Sequence, residues 1–394
     1  GATDMDVSAG SSYGQRVAQE LDSYRDVTNV HDLPDIYSYW SERYVTPLFS
    51  EAGISPFESF HAEQVAQRCA IRGGEPVRVV SLGSGNGEAE VALARAVLDR
   101  GARNLEVWCV ELNSAMQERA HRHALEAGTG EQMHFVEADL NEWTAEGSYD
   151  VVIANHSLHH VVALEHLFGE IASALPADGV LLVNDMIGRN GHMRWPEARR
   201  LVEAIWAAMP DRYKYNHQLK RVDPDFVNRD CSTEGFEGVR AQDILPLLLR
   251  MFHPENFVAF ANVIDVFVDR GYGHNLDPAS AEDTRFLDRV AQLDQLTIDL
   301  GIVKPTHLVA SFRTTQVPAR YPRHWRPDFC VRHTDSERQD AGGAEERRSS
   351  LAREHLEAER DRFRAELAAV VSSRSWRYMQ PVRAVNARLR SRRR

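Results

Sequence analysis

The feature that most constrains the fold of this chain is an apolar run that leads directly into three alternating glycines. Residues 79–82 have the composition of a buried strand, and Gly83, Gly85 and Gly87 follow at every second position. Glycine has no Cβ, so the backbone can turn sharply at these positions and lie close to a ligand. Open α/β sheets build a nucleotide pocket from such a strand, glycine loop and helix. The sequence therefore predicts an α/β fold with a nucleotide site at this loop.

The spacing of the glycines indicates which nucleotide is bound. A dinucleotide-binding loop has the pattern G-x-G-x-x-G, whereas the third glycine here, Gly87, comes one residue early and Glu88 takes its place. A carboxylate at that position would lie close to a pyrophosphate, which disfavours an NAD-dependent oxidoreductase. The G-x-G-x-G pattern instead resembles motif I of the class I S-adenosylmethionine (AdoMet)-dependent methyltransferases.

Polar residues after the next predicted strands extend this resemblance. Residues 105–110 are followed by Glu111, and residues 133–138 by Asp139. A carboxylate at the end of the second strand can accept both ribose hydroxyls. The resemblance implies that Asp139 binds the adenine amino group and that the next residue frames the ring. The cofactor-binding residues implied in this way are Gly83, Ser84, Gly85, Gly87, Glu111, Leu112, Asp139, Leu140 and Asn155.

Each of these landmarks also has an ordinary explanation. A single acid at the end of a strand is most often a surface residue, and glycines are common in turns between strands and helices. Those explanations would need several coincidences of order and spacing to hold together. The combined pattern therefore favours the methyltransferase interpretation.

The resemblance implies a Rossmann-like, seven-stranded α/β sheet, and the rest of the chain divides around it. We predict the fourth and fifth strands at residues 149–155 and 179–185, and two closing strands at residues 257–265 and 307–313. The predicted divisions are an expression scar (1–12), a helical N-terminal cap (13–76), the methyltransferase domain (77–315) with an acceptor-side insertion (186–240), a linker (316–350), a charged helix able to form a short coiled coil (351–372) and a basic tail (373–394).

Composition and charge narrow the range of partners and compartments. The formal net charge is -12, so a nucleic-acid substrate is not expected. The four cysteines are scattered without a C-x-x-C pair. This pattern disfavours a disulfide framework or a structural zinc site and suits a reducing cytoplasm. The sequence predicts neither a transmembrane helix nor a signal peptide.

The C-terminal tail has the opposite charge from the rest of the chain. Residues 373–394 contain eight arginines and no acid, and their Ser-Trp-Arg and Pro-Val-Arg segments resemble tails of bacterial polysaccharide-biosynthesis enzymes. Tryptophan, tyrosine and arginine suit an anionic membrane surface or an acidic partner. A disordered tail without a partner is an equally good interpretation, and a homo-oligomer also stays open.

Methyl transfer to a hydroxyl needs an aligned acceptor and a base that removes a proton. Histidines suit this role, and the candidates near the ends of the fourth and fifth strands are His156, His160 and His192, together with Asp185. The Leu-His-His segment at residues 158–160 is similar to one found in many class I methyltransferases with different acceptors, so it is also compatible with a scaffold role. Acceptor contacts are predicted for Tyr39, Arg43, Arg189 and Trp195.

Several acids and a histidine could also hold a divalent metal, although the sequence does not favour one. They lie on separate loops and show no diagnostic ligand spacing. The residues concerned are Asp185, His192, Glu234, Glu237 and Asp243.

These observations predict a cytoplasmic, AdoMet-dependent O-methyltransferase, peripheral to a membrane if the tail binds one. A sugar or glycan hydroxyl is the first expectation for the acceptor, because the acceptor-side loops are polar and the tail resembles those of polysaccharide enzymes. A natural product or another small molecule is the alternative acceptor. A hypothesis of another class is a catalytically inactive scaffold that recruits a glycan-assembly complex through its tail.

Overall fold

A computed structural model describes residues 33–233 and 235–333, and a seven-stranded mixed sheet forms the centre of this part of the chain. The strands are β1 (Val77–Leu82), β2 (Leu105–Glu111), β3 (Met133–Glu137), β4 (Val151–Asn155), β5 (Val180–Met186), β6 (His253–Phe260) and β7 (His307–Arg313). Their spatial order is β3-β2-β1-β4-β5-β7-β6. The predicted seven-stranded α/β fold is therefore confirmed.

The topology of the sheet places a ligand site at one edge. The first five strands pair in parallel, and β7 is antiparallel to both of its neighbours. Chain order reverses between β1 and β4, which pair side by side. Ligands bind open α/β sheets outside the carboxyl ends of the strands at such a reversal. The loops that follow β1, β2, β4 and β5 therefore frame the expected site.

Helices precede β1 and fill most connections between the strands. They are α1 (Asp35–Trp40), α2 (Thr46–Glu51), α3 (Phe57–Arg72), α4 (Glu88–Asp99), α5 (Ser114–Glu126), α6 (Leu164–Ala174), α7 (Pro196–Ala208), α8 (Ala241–Met251), α9 (Asp265–Val268), α10 (Ala281–Asp299) and α11 (Pro327–Cys330). Aromatic rings join the N-terminal helices to the sheet, with the ring centroid of Phe49 lying 5.5 Å from that of Phe260 in β6. Within residues 33–233 and 235–333, no helix has the length and apolar content needed to cross a membrane.

The sixth strand begins and ends earlier than the sequence pattern predicts. It spans His253–Phe260 rather than residues 257–265, because the chain turns at Ala261, where φ is +56°. The buried carboxylate of Asp294 accepts hydrogen bonds from the next two amides, at 3.0 and 2.7 Å, and holds this turn. A distant acid on α10 thus ends the strand, which the local sequence does not show.

Part of the predicted linker, from Arg320 to Cys330, packs against β6 and α10, so the structure differs from the prediction over this stretch. Trp325 is completely buried, and its indole Nε1 donates to Asp299 at 2.7 Å. The amide of Arg320 donates to the carbonyl of Glu255 in β6, also at 2.7 Å. Proline and charged residues suit a packed irregular segment as well as a linker, so composition alone does not separate the two.

Several predicted segments lie outside the described residues. These are the expression scar, the cap before residue 33, the linker beyond residue 333, the charged helix and the basic tail. Glu234, one of the residues considered for a metal, lies outside them as well. The interpretations of these segments stay predictions.

Candidate active site

The glycine loop after β1 is closely packed at both ends and open in the middle. A Cβ on Gly83 would lie 2.6 Å from Cβ of Ser157, and one on Gly87 would lie 2.5 Å from Cβ of Ala120. A Cβ on Gly85 would meet nothing within 4 Å, although the residue has φ of +54°. The first and third glycines are therefore required by packing, whereas the second leaves space beside the backbone that suits a ligand.

Glu111 is held at this loop by backbone amides. Its two carboxylate oxygens accept hydrogen bonds from the amides of Gly85, at 2.9 Å, and Asn113, at 2.8 Å. Each oxygen retains further acceptor capacity for hydroxyl donors. The carboxylate is thus fixed at the end of β2 beside the open part of the loop, which is where the resemblance places the ribose. The residues present fit a bound adenosyl group, although their roles toward it stay predictions.

The other predicted cofactor-binding residues surround the same edge. Asp139 accepts from the amide of Asn141 at 2.9 Å, and Leu140 lies beside Gly83, with its Cδ1 3.6 Å from where a Cβ would stand. The amide of Ser84 donates to the last carbonyl before Glu111, that of Val110, at 3.1 Å. Asn155 ends β4 and Leu112 follows β2.

A buried acid beneath the loop makes the stability of the domain depend on pH. Glu90 is 4% exposed and accepts a hydrogen bond from Ser81 at 2.7 Å. Burial raises the pKa of Glu90 to about 6 from its ordinary value of 4.5. Because the folded pKa is the higher one, the stability that Glu90 contributes is complete below about pH 4.5 and is lost as the pH rises past about 6.

The variant Glu90→Gln is therefore expected to gain stability relative to the natural chain as the pH rises. Between pH 4.5 and 7.5 the difference in free energy of unfolding should change by about 2 kcal/mol in favour of the variant, since one pKa unit corresponds to about 1.4 kcal/mol. Urea unfolding of both proteins at a series of pH values measures this difference. Parallel stability curves would contradict the assignment.

A set of polar side chains, separate from the glycine loop, lies at the ends of β4 and β5. His159 is buried, and its Nδ1 donates to Oδ1 of Asp185 at 2.5 Å. Oδ2 of Asp185 accepts from the amides of Ser157 and Leu158 at 2.9 and 2.7 Å. These bonds fix the orientation of the imidazole, so its other nitrogen, Nε2, points away from the sheet toward Glu237, 3.5 Å away.

Glu237 is the centre of a cluster that contains three histidines. Its Oε1 lies 2.7 Å from Nε2 of His192 and 3.5 Å from Nε2 of His159, and its Oε2 lies 3.6 Å from Nε2 of His160. Burial alone would raise the pKa of Glu237. Hydrogen bonds from His159 and His192 outweigh that effect and hold this pKa well below its usual range. Burial acts against charge on His159 as well, but Asp185 and Glu237 raise its pKa to about 10.

Backbone contacts between two glycine-containing loops bring these side chains together. The amide of Gly191 donates to the carbonyl of Gly238 at 2.8 Å, and the amide of Val239 donates to the carbonyl of His159 at 3.1 Å. His192 has φ of +55°, an uncommon backbone conformation for a residue with a side chain. The loops after β5 and before α8 are thus joined directly to the segment after β4.

Replacing Gly191 by alanine (Gly191→Ala) is expected to weaken this junction. A Cβ there would overlap the Asp230 carboxylate and lie 3.1 Å from the amide nitrogen of Cys231. We expect a loss of about 1–3 kcal/mol in the free energy of unfolding, measured in urea, together with reduced methyl transfer and unchanged AdoMet affinity. Gly101→Ala is the control, because its φ is +92° and nothing lies within 4 Å. Equal losses in both would indicate backbone strain alone.

The predicted catalytic residues take different places in this arrangement. His160 and His192 lie against Glu237, whereas His156 is exposed at the end of β4 with φ of +54°. Asp185 is buried, and its oxygens accept four hydrogen bonds from the protein. It is therefore not placed to act on an acceptor, and its predicted catalytic role is corrected to positioning His159.

The residues predicted to contact the acceptor all have partners within the protein. The hydroxyl of Tyr39 donates to Asp288 of α10 at 3.1 Å, and Arg43 lies 3.8 Å from the same carboxylate. The indole of Trp195 packs against two guanidinium groups, those of Arg189 at 5.1 Å and Arg332 at 3.8 Å from its ring centroid. The predicted contacts of these four residues with an acceptor stay predictions.

A polar cavity of about 1010 Å³ adjoins the cluster. His192 and Glu237 both line it. Most other lining side chains carry hydrogen-bonding groups, among them Arg194, Asn216, Gln218, Arg221, Asp223, Asn228, Arg229, Asp230, Asp265, Asp269 and Tyr272. Leu219, Phe226, Val227 and Val266 also line it, so the cavity combines apolar patches with many hydrogen-bonding side chains. A second cavity, of about 790 Å³, is bordered by Gly74, Asn104 and Gln132 at the opposite, amino-terminal edge of the sheet.

Known proteins resemble the central region. Residues 79–179 match the family model described as a methyltransferase domain. Over 126 residues the chain is 29% identical to the 27-O-demethylrifamycin SV methyltransferase of Amycolatopsis mediterranei (strain S699), a match that covers 32% of this chain and 43% of that protein. The chain thus spans less than half the length of this curated relative.

Two solved structures are similar at low identity. One is a SAM-dependent methyltransferase from Geobacter sulfurreducens in complex with S-adenosyl-L-homocysteine, with 14% identity, a TM-score of 0.33, and coverage of 64% of this chain and 91% of that chain. The other is StiE O-MT, with 12% identity, a TM-score of 0.34, and coverage of 70% and 79%. The family match, the strand order and the glycine loop show that this chain carries a class I, AdoMet-dependent methyltransferase domain.

Proposed function

We propose that the protein is an AdoMet-dependent O-methyltransferase whose acceptor is a polyhydroxylated molecule, a sugar or a glycan. The observation that carries this proposal is the polar cavity next to the Glu237 cluster. Its lining offers many hydrogen-bond donors and acceptors, which suits a ligand with many hydroxyls better than an apolar one. The O-methyltransferase named above supports oxygen as the atom that is methylated.

The two halves of the proposed site are adjacent in the fold. Ser157 touches the position of Gly83 on the cofactor side, and two residues later His159 enters the cluster with Glu237. In this proposal an acceptor hydroxyl lies between a methyl group beside the loop and a base in the cluster. Such alignment of reacting groups lowers the barrier to a displacement.

The chain's own residues would orient the reactants and accept the proton. Bound AdoMet supplies the methyl group. Glu111 would hold the ribose and so set the direction of the sulfur. The acceptor oxygen forms its bond to the methyl carbon while the carbon–sulfur bond breaks, and the hydroxyl proton passes to the cluster. His192 lines the cavity and donates to Glu237 at 2.7 Å, so the carboxylate can stabilise the imidazolium that results.

Labelled methyl transfer tests this proposal. The protein is incubated with methyl-labelled AdoMet and matched acceptor sets, namely nucleotide sugars, oligosaccharides and phenolic or polyketide compounds. The proposal predicts alkali-stable label on sugar hydroxyls. Label on the phenolic or polyketide set alone would favour the natural-product alternative, which the rifamycin relative supports. Transfer to none of the sets, from protein shown to bind AdoMet, would contradict the proposal.

The cellular setting stays part of the proposal. We expect the protein to work in the cytoplasm and to contact a membrane surface or an acidic partner through residues 373–394, whose charge comes from eight arginines. Co-sedimentation of the full chain with anionic and neutral vesicles, compared with a chain ending at residue 372, measures the membrane contact. Equal sedimentation of the two chains would rule out the membrane contact and leave an acidic partner or a tail without a partner.

A further inference from the structure

We infer that His159, His192 and Glu237 form a binding site for a divalent first-row transition metal. One ligand atom from each residue lies within 4.8 Å of the other two. Two of the separations are 2.7 Å, from Nε2 of His192 to Oε1 of Glu237, and 3.5 Å, from Nε2 of His159 to the same oxygen. Tetrahedral ligands at about 2.1 Å from zinc lie about 3.4 Å apart, so small shifts would complete the geometry.

The hydrogen bond between His159 and Asp185 is of the kind found behind metal-binding histidines. Metal-binding histidines nearly always donate their other ring N–H to a carboxylate or carbonyl, which fixes the tautomer and aims the ligand nitrogen. Nδ1 of His159 makes such a bond to Asp185 at 2.5 Å, and the amides of Ser157 and Leu158 anchor that carboxylate. Nε2 therefore faces Glu237 and His192 with its direction already fixed.

The three ligands come from separate segments that the fold holds together at some cost. His159 follows β4, His192 lies beyond β5 with φ of +55°, and Glu237 precedes α8. Left-handed backbone at a residue with a side chain persists where the surrounding structure enforces it, often at functional sites. Here the enforcing contact is the bond from the Gly191 amide to the Gly238 carbonyl.

The ligand set indicates the class of metal. Imidazole nitrogen with one carboxylate suits zinc, iron, cobalt or nickel, whereas magnesium and calcium prefer oxygen ligands. Three protein ligands leave at least one coordination position, and His192 and Glu237 both line the polar cavity. That position would therefore face the acceptor.

The catalytic role of this metal rests on the proposed function, whereas its binding does not. A metal in the site would bind the acceptor hydroxyl and make it more acidic. With His192 bound to the metal, the hydroxyl proton would pass to solvent in the cavity instead of to His192. The acceptor oxygen would then form its bond to the methyl carbon as the carbon–sulfur bond of AdoMet breaks.

Metal binding is tested without any methyl acceptor. The full chain is stripped with a chelator and titrated with CoCl₂ and with ZnCl₂, by visible absorption of the cobalt form and by calorimetry. We expect one equivalent of metal to bind. We expect Glu237→Gln to weaken metal binding by more than about 100-fold, because losing a residue that only hydrogen-bonds to a ligand usually costs less than that. His166→Ala is the control, because His166 bonds to the carbonyl of Trp143 outside the cluster.

The outcomes separate the metal site from the methyltransferase proposal. Cobalt binding that is lost in Glu237→Gln and kept in His166→Ala supports the site, with AdoMet titration showing that both variants are folded. If Glu237→Gln does not fold, His192→Gln replaces it. Absence of saturable metal binding, or equal binding by the natural chain and by Glu237→Gln (or His192→Gln), would overturn the inference. The cluster would then be a set of hydrogen-bonded residues that share protons. Intact metal binding without methyl transfer to any acceptor would overturn the proposed function alone.

Discussion

Replacing Gly85 by aspartate (Gly85→Asp) is expected to weaken AdoMet binding by at least about 100-fold, which corresponds to nearly 3 kcal/mol. A side chain at Gly85 would meet no protein atom within 4 Å, so the substitution fills the space beside the loop rather than disturbing the core. It also places a second carboxylate near that of Glu111, which accepts a hydrogen bond from the backbone amide of residue 85. Calorimetric titration of the variant and the natural chain with AdoMet measures the loss.

Gly128→Asp is the matched control for this prediction. Gly128 has φ of +68° and nothing within 4 Å of its Cβ position, so the backbone strain is comparable, but it follows α5 away from the loop. The control should lose a similar small amount of stability and keep its AdoMet affinity. Full affinity in Gly85→Asp would show that the ligand does not occupy the space beside Gly85.

The variant Asp185→Asn is expected to lose both stability and catalytic rate. An amide nitrogen cannot accept the bonds that the carboxylate accepts from His159 and the backbone. Removing the charge from this buried pair should cost about 3 kcal/mol of unfolding free energy. Loss of the fixed His159 orientation should lower kcat by roughly 10–100-fold. Urea unfolding and initial rates at saturating AdoMet measure the two effects.

A control variant at a second buried carboxylate distinguishes loss of His159 positioning from loss of stability. Asp150 is 7% exposed and lies 2.6 Å from Arg72, away from the cluster. Asp150→Asn should lose comparable stability and keep kcat when both variants are assayed well below their unfolding temperatures. If the two variants lose rate equally, Asp185 supports the fold and does not position His159 for the reaction.

Much of the cofactor side was predictable because its signals are local. The glycines, Glu111 and Asp139 each follow a strand whose apolar pattern is visible over a few residues, and parallel strands bring their carboxyl ends to one edge. The structure brings Glu111 and Leu140 to the glycine loop as that logic requires.

The acceptor side was less predictable because it depends on contacts between distant segments. Glu237 lies against His159 through two glycine-containing loops, and no local pattern reports that junction. The Leu-His-His segment suggested a scaffold role, yet its first histidine is central to the cluster. The useful signal was the presence of glycines in both loops, at residues 188, 191, 235 and 238, because glycine permits close backbone contact.

For the aromatic and basic residues predicted as acceptor contacts, side-chain chemistry alone does not decide the role. Tyr39, Arg43, Arg189 and Trp195 have the chemistry of ligand-binding residues, but the same groups also form structural cation–π and hydrogen-bonded contacts. In this fold Asp288 and Arg332 provide those contacts. Side-chain type alone could not show which partner each residue would meet.

A crystal structure of the protein with S-adenosylhomocysteine would test the proposed site directly. We predict that the ribose contacts Glu111, that the adenine lies between Asp139 and Leu140, and that the sulfur faces the cavity lined by His192 and Glu237. An adenosyl group bound elsewhere, or a sulfur that faces away from Glu237, would contradict this prediction.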